Sequence, residues 1–448
     1  MNVLISGAGI AGPTLAFWLG KYGFASTLVE SAPTLRTSGY VIDFWGLGYD
    51  IAEKMGLLPD IARIGYHMQE LRIVDDGGRR LSGFGVQLFR ELTGGRYVTL
   101  GRSDLSKLIY DRISGSCEII FGDSIAGLRE TGAEVHVQFE HGGERRFDLV
   151  IGADGLHSRV RNLVFGPQDR YEKDLGYRVA AFETGGYRPR DELVYTIHCA
   201  PGRQVGRFAL HNDRTLFLFI FDGGGEPGAH GAEVQKALLR KAFEGDGWEL
   251  PRILDALDTC NDLYFDRVSQ IRMDAWSHGR VALVGDAGFC VSLLAGQCSA
   301  LAMTAAYVLA GELAISPNRP QGAFRRYEER LRPFIHAKQQ AAERFAAGVR
   351  PADPARGFLP QPGDQDVSGP HHREDRHRPR HPRPARAASV SSMSCGRSSG
   401  DPARPSCEAF PFLLRPGSKI RIAGSRRSPH RPLSTPSQRL KPTLKRPS

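Results

Sequence analysis

The sequence predicts an α/β protein: a Rossmann-like dinucleotide domain assembled from separated parts of the chain, an inserted, mainly antiparallel β-sheet domain, and a disordered C-terminal tail. Three observations carry this reading. Gly7-Ala8-Gly9-Ile10-Ala11-Gly12, Gly152-Ala153-Asp154-Gly155 and Gly285-Asp286-Ala287 each follow a short apolar run of strand character. Between the second and third, runs rich in Val, Phe, Tyr and Ile are separated by polar turns, as in an antiparallel sheet. From about Pro351 the composition switches to Arg, Pro, Ser and His with no sustained apolar period.

Taken in order, Asn2 to Ser6 reads as a strand, the glycines as a turn, and Pro13 to Tyr22 as a helix with Leu15, Ala16, Trp18 and Leu19 at helical spacing. Ser26 to Glu30 then supplies a second strand, completing a βαβ unit. A helix is expected near Tyr49 to Leu58 and a basic one from Asp104 to Arg112. Leu193 to Ile197, Gly206 to Leu210 and Thr215 to Phe221 are the strands of the inserted sheet, with Ser82 to Thr99 as an extra piece. Arg280 to Val284 returns to dinucleotide-type structure, followed by an Ala/Leu-rich helix from Ser299 to Leu313 and a charged helix from Pro320 to Ala347. The tail, 351–448, cannot bury enough apolar surface to offset chain entropy, so it reads as disordered. Its abrupt onset also resembles a GC-rich gene read out of phase, a frame-shifted extension.

The length of 448 residues accommodates more than one domain. The net charge of +10 invites a nucleic-acid reading, but its distribution argues against one. Residues 371–448 hold 18 Lys/Arg against 4 Asp/Glu, whereas residues 1–370 hold 41 against 45. Polyanion affinity would belong to the tail, and no specific nucleic acid is expected as a partner. The seven cysteines, at 117, 199, 260, 290, 298, 395 and 407, form no Cys-x-x-Cys pair, so neither a disulfide framework nor a metal site is expected. No stretch reads as a membrane span and no basic signal head precedes the first strand, which makes the cytoplasm the expected compartment.

In Gly-x-Gly-x-x-Gly, Gly7 permits the turn, Gly9 lets a pyrophosphate approach the backbone, and Gly12 lets helix and strand pack closely. Glu30, at the end of the next strand, suits the two hydroxyls of an adenosine ribose and disfavours a 2′-phosphate. NAD and FAD share this fingerprint. The later segments favour FAD: Asp154 either accepts amides near the pyrophosphate or caps the helix that follows it. Asp286 suits a ribityl or ribose hydroxyl, and Gly296-Gln297 precede a helix whose N-terminus can stabilise charge on a reduced flavin. A second match to the fingerprint, Gly223 to Gly228, carries Pro227 and lacks a following strand that ends in an acid, so it reads as a connecting loop.

With these motifs in this order, the chain resembles the class A flavoprotein monooxygenases. This is the para-hydroxybenzoate hydroxylase-like family, which includes aromatic-ring hydroxylases and tetracycline-inactivating monooxygenases. The resemblance spans roughly residues 1 to 347. It implies FAD as cofactor, held through Gly7, Gly9, Gly12, Glu30, Asp154, Gly155, Gly285, Asp286 and Gly296. It also implies a role for Arg102, which matches the family arginine ahead of a helix. Residues 1–71, 98–175 and 270–350 then form a discontinuous FAD-binding domain, and 72–97 with 176–269 a substrate domain. The implied reaction uses NAD(P)H as a transient co-substrate and molecular oxygen to hydroxylate a hydrophobic, aromatic or polyketide-like small molecule through a flavin hydroperoxide. Rejection of the second fingerprint argues against a Baeyer–Villiger type, and the tryptophan motif of flavin halogenases is missing.

Cys298 stands where the family carries a glycine. If that position required positive φ or close flavin approach, the loop would be strained and activity impaired. A flavin-dependent dehydrogenase or reductase, and a catalytically impaired FAD-binding protein, are therefore the competing functions. Tyr195, His198, Phe208 and Phe217 are candidate substrate contacts on the inserted sheet, although strand aromatics more often pack in a core. No catalytic acid or base is nominated, because the flavin carries the chemistry.

Overall fold

Asn2–Ser6 occupies the interior of a six-stranded sheet in the computed structural model, which describes residues 1–36, 39–223 and 231–349. The tail at 351–448, and Gly224 to Gly228 of the second glycine-rich match, lie outside the described residues. Asn2–Ser6 pairs in parallel with Ala25–Glu30 on one side and Leu149–Gly152 on the other. Glu118–Phe121 and Val281–Leu283 extend the sheet in parallel, and Ser277–His278 adds an antiparallel edge. The next strand in sequence lies to one side of Asn2–Ser6 and a much later one to the other. Connections thus leave in opposite directions and open a crevice beyond the strand ends, the switch point at which such sheets bind ligands.

Val3, Leu4 and Ile5, with Leu149, Val150 and Ile151, are fully buried, as continuous apolar runs in a parallel sheet should be. The helix Ala11–Lys21 packs against the helix Cys298–Ile315, with the Trp18 and Tyr307 rings edge-to-face at 4.7 Å. Contrary to the sequence expectation, Cys298–Ile315 is long and apolar enough to cross a membrane by length and composition. Two-thirds of it is buried inside the protein, and its Glu312 carboxylate pairs with Arg326 (2.6 Å) and Arg330 (2.9 Å) of the helix Pro320–Val349. This is the signature of a core helix fastened to its neighbour.

The second sheet has seven strands in the order Tyr264–Ile271, Glu172–Gly185, Arg214–Asp222, Arg203–Ala209, Val194–Ala200, Glu70–Val74 and Arg80–Gly85. Its pairings are antiparallel except between Val194–Ala200 and Glu70–Val74. The expected extra piece at Ser82 to Thr99 divides in two. Its start belongs to the edge strand Arg80–Gly85, whereas its end belongs to Tyr97–Gly101, which forms a separate antiparallel ribbon with Val41–Trp45. The helix Gln87–Leu92 lies between them. Helices Ala232–Phe243 and Leu250–Asp258 pack their apolar sides on the sheet, where Phe243 meets Phe219 edge-to-face at 5.1 Å. A three-stranded antiparallel sheet, Ile125–Thr131, Glu134–Phe139 and Glu144–Phe147, is a further element the sequence reading did not anticipate.

Candidate cofactor site

The crevice beyond Ser6 and Gly152 deepens into a cleft of about 540 Å³. Its wall brings together Gly7, Gly9, Glu30, Arg102, Asp154, Gly155 and Asp286, which come from every part of the chain the sequence singled out. Gly12, Gly285 and Gly296 stand just outside it. Gly12 packs within the turn, Gly285 lies against Ala11 and Ala302, and Gly296 lines an adjoining cavity of about 170 Å³.

The glycine turn shows why no other residue serves. Gly7 has φ +108°, and a Cβ there would lie 2.5 Å from the Ala153 carbonyl oxygen, so the two switch strands close on each other only through glycine. A Cβ on Gly12 would lie 2.0 Å from the Gly7 carbonyl oxygen, whereas one on Gly9 would meet nothing within 4 Å. Gly9 therefore faces open space beside the N-terminus of Ala11–Lys21, whose first turn carries no side-chain cap. The free N–H groups and the helix dipole suit a phosphate there.

Glu30 is fixed by this loop: one carboxylate oxygen accepts Ala8 N–H at 2.7 Å, the other Ala32 N–H at 3.0 Å. Asp154 realises the capping alternative. It accepts the Ser158 hydroxyl at 2.6 Å and the Arg159 and Val160 amides at 2.9 and 3.0 Å, fixing the start of the helix Arg159–Phe165. Burial raises the Asp154 carboxyl, against the lowering effect of Ser158.

Deeper in the cleft, Arg102 opens the helix Arg102–Asp111 and lies within electrostatic reach of Tyr40, Asp286 and Tyr264. Burial works to lower the guanidinium, but these neighbours hold it above its ordinary value. The Asp286 carboxyl is pushed up by burial, opposed by Arg102 and by a hydrogen bond from Cys290. Both charged groups are enclosed by protein yet retain accessible surface, which places them on a cavity wall rather than in packed core.

The adjoining cavity contains residues that sequence reasoning missed. Asp43 and Thr99 sit opposite each other in the two-stranded ribbon. One Asp43 oxygen accepts the Thr99 hydroxyl and the Tyr97 phenol, each at 2.7 Å. Asp43 keeps an open surface although protein surrounds it, because it faces the cavity. Of the four aromatic candidates on the inserted sheet, Tyr195 alone lines this space. Phe208 and Phe217 are fully buried in the core, and His198, on the opposite strand face from Tyr195, binds Asp76 at 2.7 Å and stacks on Trp248.

Cys298 is not strained. It opens the helix Cys298–Ile315, and the positive φ in this segment falls at Gly296 (+65°) and Ser292 (+83°). The Cys298 thiol donates to the Ser292 carbonyl at 3.3 Å and lies within electrostatic reach of the Cys290 thiol. The side chain uses the glycine's place to tie the loop rather than to distort it.

Comparison with known proteins identifies the family. Residues 1–342 match the family model described as "FAD binding domain". The uncharacterized protein Rv1260 of Mycobacterium tuberculosis is 39% identical over 350 residues, covering 75% of this chain and 91% of its own. A flavin-dependent monooxygenase of Legionella longbeachae is 32% identical over 354 residues, covering 76% and 87%. Among solved structures, tetracycline destructase Tet(51) superposes with a TM-score of 0.71 at 32% identity, covering 79% of this chain and 92% of that one. The chain belongs to this FAD-binding family and is an FAD-dependent monooxygenase of the class A type.

Proposed function

We propose that Gly7, Gly9, Gly12 and Glu30 hold the adenine end of FAD. On this reading Arg102, Asp154, Gly155, Gly285, Asp286 and Gly296 shape the rest of its bed, and the smaller cavity takes the substrate ring. The observation that supports this most is continuity. The large cleft and the small cavity share Tyr40, Leu293, Cys298 and Ser299, so a ligand extended along the first reaches the second.

FAD, when bound, supplies the redox chemistry that takes electrons from NAD(P)H and transfers one atom of molecular oxygen. The chain's part is to position and to exclude water. Ile42, Phe44, Met68, Leu218 and Leu293 give the small cavity an apolar lining, while Asp43 and Tyr195 supply polar contacts. That lining suits a hydrophobic, aromatic or polyketide-like molecule bearing a hydroxyl or amino group. The likeness to a tetracycline destructase makes tetracycline the first compound to test. A cytoplasmic location fits the demand for NAD(P)H.

The test is purification of the full chain, identification of its released flavin, and measurement of NAD(P)H oxidation and oxygen uptake with tetracycline and a panel of phenols. Stimulated oxygen uptake with conversion to a product one oxygen atom heavier is expected. NAD(P)H oxidation driven by an organic acceptor, with oxygen untouched, would instead identify a dehydrogenase or reductase.

A further inference from the structure

The segment after Val281–Leu283 carries two thiols that the hydroxylation chemistry does not use. Cys290 is buried and Cys298 half-buried, and both lie on the wall of the cofactor cleft. Each side chain lies within electrostatic reach of the other. Cys298 donates to the carbonyl of Ser292, two residues after Cys290, at 3.3 Å, and Cys290 to the Ser269 carbonyl at 3.5 Å, so the thiol at one end of this short loop folds back toward the thiol at the other. Gln339, from the helix Pro320–Val349, donates to the Cys290 carbonyl at 3.2 Å and to the Ile271 carbonyl at 2.8 Å, pinning the backbone on the Cys290 side.

We propose that Cys290 and Cys298 are a peroxide-oxidised thiol pair whose reversible disulfide closes the loop 290–298 and arrests the enzyme when oxygen is consumed without substrate. The proposal rests on the monooxygenase reading for its source of oxidant. A reduced flavin that meets oxygen with no acceptor yields hydrogen peroxide, and these thiols line the cleft in which it would form. The more accessible Cys298 sulfur, as its thiolate, attacks one peroxide oxygen. The O–O bond breaks, hydroxide leaves and takes up a proton as water, and Cys298 becomes a sulfenic acid. The Cys290 sulfur then attacks the Cys298 sulfur, the S–O bond breaks, and the departing oxygen leaves as a second water with the Cys290 proton. Two thiols are oxidised to one disulfide and one peroxide is reduced to two waters. Closure draws Cys298 from the Ser292 carbonyl and shifts the first turn of Cys298–Ile315 together with Gly296, which borders the small cavity. Cys298 is the more accessible sulfur, and the neighbouring Cys298 thiol together with burial raises the Cys290 thiol, so Cys298 is the sulfur that starts the reaction.

The test uses the full FAD-loaded protein in two arms, hydrogen peroxide alone and NAD(P)H with oxygen but no substrate. Free thiols are then alkylated and the chain cut with chymotrypsin, whose sites at Leu293 and Leu294 separate the two cysteines. The expected product in both arms is a linked pair of peptides carrying Cys290 and Cys298, lost after dithiothreitol and never formed in Cys290→Ser or Cys298→Gly. Two alkylated thiols after peroxide, or a sulfonic acid at Cys298 without the bridge, would overturn the proposal. A bridge with peroxide but none with NAD(P)H would keep the thiol pair as an oxidation site and overturn its coupling to turnover.

Discussion

Substituting Gly9 separates ligand recognition from fold maintenance within one six-residue turn. A methyl at Gly9 meets nothing within 4 Å, and the residue is not among those with positive φ, so Gly9→Ala leaves the apoprotein intact. Reduced freedom of the unfolded chain adds about 0.4–1 kcal/mol of stability. Once a pyrophosphate lies on the turn, the same methyl occupies its space. Overpacking costs about 1–3 kcal/mol, which at about 1.4 kcal/mol per tenfold weakens FAD binding roughly 5- to 150-fold. Gly12→Ala is the contrast, since its Cβ would lie 2.0 Å from the Gly7 carbonyl oxygen and the turn itself must move. Its apoprotein should lose about 1–3 kcal/mol. The assay is a titration of apoprotein with FAD, followed by flavin fluorescence, beside denaturant midpoints for both apo variants. Unaltered FAD affinity in Gly9→Ala, or a loss of apo stability equal to that of Gly12→Ala, would refute the assignment of the two roles.

Three further outcomes are expected. Asp286→Asn removes a charged acceptor whose carboxyl is raised by burial, so FAD affinity should fall by about 1.5–3 kcal/mol while the apoprotein loses no stability; a parallel fall in both would assign Asp286 to the fold alone. Asp43 is also raised by burial, against hydrogen bonds from Thr99 and Tyr97 that lower it. A raised carboxyl contributes stability that is present below its unfolded value of about 3.9 and is lost as pH rises through the folded value. Asp43→Asn should therefore flatten the fall of the apoprotein's denaturant midpoint over that interval, and an unchanged slope would count against a raised Asp43 carboxyl. Cys298→Gly should lower the apoprotein's stability by up to about 1 kcal/mol, the cost of glycine in a helix, without improving FAD affinity. A tenfold gain in affinity would show that the side chain crowds the flavin after all.

What could be read from the sequence was the chemistry that backbone imposes locally. Gly7 and Gly12 admit no Cβ because carbonyl oxygens lie 2.5 and 2.0 Å away, and Glu30 is held by amides of its own βαβ unit. Such demands recur wherever a strand feeds a helix at a phosphate site, so they survive as a short pattern. Asp154 was legible to the same extent: its capping of Arg159–Phe165 involves residues four to six positions on, and capping was one of the two readings open to it.

The small cavity obeys a different rule. Asp43 faces it because Val41–Trp45 pairs with Tyr97–Gly101 in a register that sets Asp43 opposite Thr99, and a slip of one residue would send its carboxyl to the other face. Nothing near Asp43 in sequence announces a partner more than fifty residues away. Cys298 misled for a related reason. A glycine expected by family pattern suggests a positive φ, but the left-handed residue in this loop is Gly296, which frees Cys298 to begin a helix. On the proposed assignment, the cofactor end of the site is thus encoded in local backbone geometry, and the substrate end in long-range register. It follows that relatives sharing the glycine and aspartate motifs can retain FAD while differing in what they oxidise, with the differences concentrated in the ribbon and the inserted sheet that wall the small cavity.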